Sequence, residues 1–158
     1  TGTENVSGIV GLGKAAELAR TDLDRRVAVC GRLEALLRRE IAATVDEVQF
    51  HGHPDRPVPG LVNVSIRYVE GEALLLHMDV RGVSVAGASA CMSITAKASH
   101  VLEAMGALDG GASGTLLFTL GVDHTESEVR QAVATLAEVV ALLRAMSPLA
   151  GRGTGVRS

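Results

Sequence analysis

The chain has 158 residues, 47 % hydrophobic and 21 % charged, with a formal net charge of −3. That is enough apolar material for one domain with its own core, and a balanced charge without a Lys/Arg-rich run excludes a dedicated nucleic-acid or membrane-surface binder. Aromatics make up only 2 %, with no Trp, so Leu, Val, Ala and Ile must fill the core. Two cysteines are too few for a disulfide framework and fit a reducing compartment. No apolar run reaches membrane-spanning length and no signal-peptide pattern is visible, so the expected location is the cytoplasm. The chain opens at Thr1 on residues that already read as structured, which leads us to expect a piece of something longer.

In chain order, residues 7–20 (SGIVGLGKAAELAR) predict a helix with apolar Ile9, Val10, Leu12 and Ala16. A longer helix is predicted over about 22–42, where Leu23, Val27, Cys30, Leu33, Leu37 and Ile41 form one stripe at three- and four-residue spacing. Cys30 lies on that stripe and is read as core. Two β-type runs follow, Val45–Phe50 and Leu61–Tyr68, joined by a connection rich in Pro and Gly. His51 and His53 in that connection stand at metal-like i, i+2 spacing, but no third ligand is near, so they are read as surface loop histidines.

Glu70–Arg81 predicts a helix with Leu74, Leu75 and Met78 inward and Gly82 at its stop. Val83–Val85 predicts a strand, Ser99–Met105 a short helix and Gly114–Leu120 another strand. Thr125 and Glu128 are spaced as a capping box for a last helix whose inward face is Val129, Val133, Leu136, Val140 and Leu143. The segment from Ser147 (SPLAGRGTGVRS) is Pro/Gly/Arg-rich and expected to be disordered. The resulting fold class is α/β, a small sheet of about four strands packed with helices.

Cys91 is the residue with the clearest chemical potential. It sits in Val85-Ala86-Gly87-Ala88-Ser89-Ala90-Cys91-Met92-Ser93, a small-residue segment after a short apolar run, where a thiol is expected to be presented on a loop.

Several ordered segments resemble one family. Gly2-Thr3-Glu4-Asn5-Val6 with Gly8-Ile9-Val10-Gly11, Leu61-Val62-Asn63-Val64-Ser65 with Glu70-Gly71-Glu72, Ala88-Ser89-Ala90-Cys91 with Ser99-His100-Val101-Leu102, and Phe118-Thr119-Leu120-Gly121 with Thr125-Glu126-Ser127-Glu128 follow its order and spacing. Together they resemble the C-terminal small domain of the pyridoxal-phosphate cysteine desulfurases, fold-type I enzymes. The resemblance covers residues 1–149 as one small domain including its leading helices, with 150–158 as a tail.

What the resemblance implies is a desulfurase that takes sulfur from L-cysteine, gives L-alanine and carries a persulfide on Cys91 for an acceptor protein. It implies pyridoxal phosphate as cofactor, with Thr3 contacting the phosphate of the opposite subunit of a homodimer and Asn63 binding substrate. Ser99 is expected as a helix N-cap and His100 on that helix's surface. The only lysines are Lys14 and Lys97, neither in the family's Schiff-base context, so the N-terminal cofactor-binding domain is expected from a separate or cleaved chain, an Arg–Thr cleavage before Thr1 being one route.

Two further departures stand out. Leu117 occupies the position where the family carries a substrate-carboxylate arginine, with Arg67 and Arg81 as candidate substitutes, and Met92 and Ile94 make the cysteine segment more apolar. The alternatives are a non-catalytic interaction subunit, for which the departures argue, and a selenocysteine lyase-like variant. No direct nucleic-acid or membrane partner is expected.

Overall fold

The structure, a computed structural model, describes residues 2–87, 99–106 and 113–147. Two helices lead, α1 (Val6–Thr21) and α2 (Leu23–Thr44); then come β1 (Val48–His51), β2 (Leu61–Arg67), α3 (Gly71–Val80), β3 (Ala86–Gly87), α4 (His100–Ala104), β4 (Ser113–Thr119) and α5 (Glu126–Met146). The four strands form one sheet in the order β1-β2-β4-β3, every neighbouring pair antiparallel.

The sheet is two-faced because β2 alternates. Val62, Val64 and Ile66 are fully buried on one side together with Leu116 and Phe118 of β4, while Asn63, Ser65 and Arg67 take the other. The apolar side receives Leu33, Leu37 and Ile41 of α2, Leu74 and Met78 of α3, and Val129, Val133, Leu136, Val140 and Leu143 of α5 in a single core. Helices α2 and α5 lie against each other over this face. The expected capping box is present: Thr125 Oγ1 accepts the Glu128 N–H at 3.2 Å, and Glu128 Oε2 accepts the Thr125 N–H at 2.7 Å. At the other end of α5, Arg144 donates to the carbonyls of Asp46 and Arg67, joining the helix to the entry of β1 and the exit of β2.

Several expectations are corrected. The stripe of α2 is buried only from Cys30 onward; Leu23 and Val27 are 55 % and 46 % exposed, outside the core that takes in the rest of the stripe. None of α1 is buried, and Leu12 is 72 % exposed, so its apolar residues lack a covering layer within the described chain. The first strand begins at Val48, not Val45. Val45 instead closes α2, its N–H on the Ile41 carbonyl, and Glu47 takes a left-handed φ of 55° before the ladder starts.

Residues 83–85 are not a strand. Gly82, at φ +81°, sits at the first position beyond the α3 cap, with Gly82 N–H on Asp79 O and Val83 N–H on Met78 O, so the chain spends these residues ending the helix and pairs only from Ala86. Glu70 is the N-cap of α3 and Leu75 is only half-buried. Ser99 occupies the N-cap of α4 as expected, without a side-chain cap bond. The tail expected beyond Ser147 and the Cys91 segment lie outside the described residues.

His51 is the largest correction. It is not a surface histidine: it ends β1, is buried, and its Nε2 lies 2.7 Å from Ser65 Oγ, which lies 2.8 Å from Thr115 Oγ1. This chain of hydrogen bonds joins β1, β2 and β4 on the polar side. At the helix side, buried Glu34 accepts Arg38 Nε at 2.9 Å through Oε1 and the Gly60 N–H at 3.1 Å through Oε2. Gly60, at φ +84°, in turn accepts the Leu120 N–H at 2.8 Å.

A Cβ at Gly60 would stand 2.7 Å from the Leu120 carbonyl oxygen, in a left-handed conformation, so Gly60→Ala is expected to destabilise the fold by at least about 2 kcal/mol in urea unfolding; a change below about 0.5 kcal/mol would mean the junction is not constrained. Burial holds the His51 pKa below its ordinary 6.5. The unfolded chain therefore binds this proton more readily, and stability drains away as pH falls through 6.5 towards the lower folded value. Urea midpoints at pH 7.5 and 5.5 are expected to drop further for the natural chain than for His51→Gln; equal drops would remove His51 as the cause.

Candidate functional site

The polar face of the sheet is the candidate site, and strand register builds it. His51 of β1 pairs with Asn63 of β2, Asn63 pairs with Leu117 of β4, and Leu117 pairs with Ala86 of β3. Directly opposed residues in antiparallel strands share a face, so these four form a row across the whole sheet. Ser65 and Thr115 form the next rung, bonded to each other and, through Ser65, to His51.

At the centre of the row stands Asn63. Its Oδ1 is buried and has no hydrogen-bond partner. An unsatisfied buried amide oxygen costs on the order of 1–3 kcal/mol, which a donor from a bound group or another part of a larger protein would recover. Beside it Leu117, half-buried, offers an apolar surface and no charge. The surroundings are therefore neutral: an amide oxygen, a leucine, and a histidine whose burial disfavours its charged form.

The arginines considered as substitutes do not reach this position. Arg67 lies at the far end of β2, paired with Ser113, four register steps from the Asn63–Leu117 pair; its Nη1 is 3.4 Å from Glu47 Oε2 and its guanidinium lies over the Tyr68 ring. Arg81 caps the C-terminus of α3, donating from Nη1 to the His77 carbonyl at 3.0 Å. Lys14 is exposed on α1 and paired with Glu17 at 3.0 Å.

Thr3 lies in the exposed segment before α1, a helix whose packing is with α2, so the described chain does not bring Thr3 to Asn63. Cys91 lies outside the described residues, but β3, four residues before it, pairs directly with Leu117 and Leu116. The expected site thus divides into a described row on the sheet, a cysteine segment entered from that row, and a threonine on a separate arm.

No cluster of three or more His, Cys, Asp or Glu fit to hold a metal occurs among the described residues. The two histidines with metal-like spacing have separate uses: His51 bonds Ser65, and His53 Nδ1 accepts the Asp55 N–H at 3.1 Å. Sequence reasoning missed the Ser65–Thr115 rung and buried Glu34. The strict alternation of polar Asn63, Ser65 and Arg67 with apolar Val62, Val64 and Ile66 was the signal for the first; a glutamate inside a helical apolar stripe gave none. No helix among the described residues is long and apolar enough to cross a membrane.

Comparison with known proteins identifies the architecture. The family model described as aminotransferase class-V matches residues 1–132. The chain is 44 % identical over 149 residues to "Cysteine desulfurase IscS" of Anaeromyxobacter sp. (strain K), covering 94 % of this chain and 36 % of that protein. It is 41 % identical over 151 residues to "Cysteine desulfurase IscS 1" of Archaeoglobus fulgidus, covering 94 % and 39 %, and 38 % identical over 147 residues to "Cysteine desulfurase IscS" of Dictyoglomus turgidum, covering 93 % and 37 %. The chain therefore spans little more than a third of the length of these relatives.

Among solved structures, a NifS-like protein superposes with a TM-score of 0.75 at 25 % identity, over 90 % of this chain and 35 % of that one. A NifS-like protein from Rickettsia africae shares the fold with a TM-score of 0.74 at 20 % identity, over 89 % and 36 %. With the family model matching residues 1–132 and relatives 38–44 % identical over nearly the whole chain, the chain belongs to the aminotransferase class-V family, as a NifS/IscS-like piece.

Proposed function

We propose that this chain is the C-terminal small domain of a cysteine desulfurase, spanning residues 1–149. The observation that carries the reading is the row Asn63–Leu117–Ala86, which leads the chain from the centre of the polar face into the segment that bears Cys91. Identities of 38–44 % to proteins named cysteine desulfurases, over nearly the whole chain, support it.

Pyridoxal phosphate fits this chain only in part. Thr3 offers a hydroxyl just before α1, a 16-residue helix, which suits a phosphate contact reaching a second subunit. No described lysine suits the cofactor's aldehyde, since Lys14 is committed to Glu17; that group belongs to a large domain supplied elsewhere. The cofactor, when bound in the complete enzyme, supplies the electron sink that makes the substrate's C–S bond cleavable.

This chain's own part is nucleophilic. The Cys91 thiolate attacks the sulfur of L-cysteine; the S–S bond forms as the S–Cβ bond breaks, the electron pair stays on carbon, and carbon takes up a proton to leave L-alanine. Cys91 then holds a persulfide for a sulfur-acceptor protein in the cytoplasm. Asn63 orients the substrate through its unsatisfied Oδ1, which accepts from a substrate N–H. Leu117 cannot clamp a carboxylate, so L-cysteine binds this site more weakly than a charged clamp would allow.

Two outcomes are expected in the assembled enzyme. Cys91→Ser lowers alanine release from L-cysteine by about three orders of magnitude or more and removes the persulfide from the intact-mass spectrum; unchanged sulfur transfer would instead favour the non-catalytic interaction subunit, and preferential turnover of selenocysteine the lyase-like variant. Leu117→Arg lowers KM for L-cysteine by about ten- to a hundredfold with little change in kcat, the size of one charge-assisted contact; a KM that does not move would show that the carboxylate is held away from β4.

A further inference from the structure

A cavity of about 420 Å³ lies between α2 and the proline-rich connection from β1 to β2. Its volume falls within the range of small-molecule sites. On the helix side Gly31 and Ala35 stand one turn apart in its lining and bring almost no side chain. Across from them, Phe50 and the prolines Pro54, Pro57 and Pro59 make apolar walls.

The polar groups in this lining have an unequal balance of donors and acceptors. Glu34 is the one carboxylate, 3 % exposed, and both its oxygens are occupied, by Arg38 Nε and by the Gly60 N–H. Arg38 is held by that bond and by the Phe50 ring, 5.2 Å from guanidinium to centroid. Its two terminal nitrogens make no hydrogen bond to a described residue. His53 Nδ1 accepts the Asp55 N–H, so the neutral ring keeps its proton on Nε2 and has a donor left over. The cavity therefore combines a fixed guanidinium and an imidazole donor with apolar walls, and its own carboxylate is already satisfied.

We propose that this cavity binds a small monocarboxylate with an apolar body, the carboxylate taken by the terminal nitrogens of Arg38 and the body lying against Phe50 and the prolines. A planar carboxylate matches the guanidinium fork, and an apolar body matches walls that water wets poorly. The assignment does not depend on the desulfurase reading, since every group in it belongs to the described chain.

Benzoate is the probe. Titrated into the 158-residue chain and followed by 1H–15N NMR, it is expected to give saturable shifts at the Gly31 and Gly52 amides and at the Arg38 Nε–H. Benzamide, with the ring but no charge, and acetate, with the charge but no body, are expected to bind at least tenfold more weakly. Arg38→Gln is expected to weaken benzoate by tenfold or more. Gly31→Leu is the independent variant: a Cβ there meets no atom within 4 Å, so the side chain enters open space and is expected to abolish the shifts without lowering Tm. Absence of saturable benzoate binding overturns the proposal, as does benzamide binding equally well, or saturation that persists unchanged in the Gly31→Leu variant.

Discussion

The pairing of β2 with β4 is the constraint on which the rest of this structure depends. The two strands share seven register pairs, from Leu61↔Thr119 to Arg67↔Ser113, and they form the centre of the sheet with β1 and β3 at its edges. Because side chains alternate with a period of two, a slip of one residue would carry Val62, Val64 and Ile66 out of the core and place Asn63 and Ser65 in it. The register is held at one end by Gly60 and Leu120, whose backbones approach so closely that only glycine fits, and on the polar face by the Ser65–Thr115 bond. The Asn63–Leu117 pair inherits its position from that alignment.

Around this centre the helices divide their tasks. Helices α2, α3 and α5 stabilise the sheet by burying one of its faces. Helix α1 contributes nothing to that core: Val6, Ile9, Val10 and Leu12 are all exposed, an apolar surface of the kind that marks an interaction face in larger assemblies. Helix α2 has a further role through Glu34. A buried carboxylate is costly unless every lone pair is used, and here one oxygen takes Arg38 and the other takes the backbone of Gly60. That single side chain fixes the entry to β2 and, by immobilising Arg38 over Phe50, shapes the cavity beside it.

The electrostatic character of the polar face differs from what a charged-substrate site ordinarily shows. Its central row contains a neutral amide, an aliphatic side chain and a buried imidazole, while Arg81 is committed to the end of α3 and Arg144 to the carbonyls of Asp46 and Arg67. What the row itself offers is hydrogen bonding and shape, without a fixed charge.

By itself the sequence determined the helices, the alternation of β2, the capping box at Thr125 and Glu128, and Cys30 as a core residue, because each is written in local spacing: 3.6 for a helix against the core, two for a strand between faces, three for a cap. The family resemblance was legible for the same reason, as short ordered segments. Tertiary structure alone decided what depends on distant partners. His51 reads as a loop histidine beside Gly52 and becomes buried only because β1 pairs with β2 and brings Ser65 within 2.7 Å of it. Leu23 and Val27 continue a perfect stripe but are exposed, since burial requires a facing surface and the core takes in this stripe only from Cys30 onward. Glu34 stands inside an apolar stripe with no local sign of its purpose, and only the fold delivers the Gly60 N–H that makes its burial tolerable. Local periodicity records which side a residue should face; which surface meets it there is settled by contacts between segments tens of residues apart.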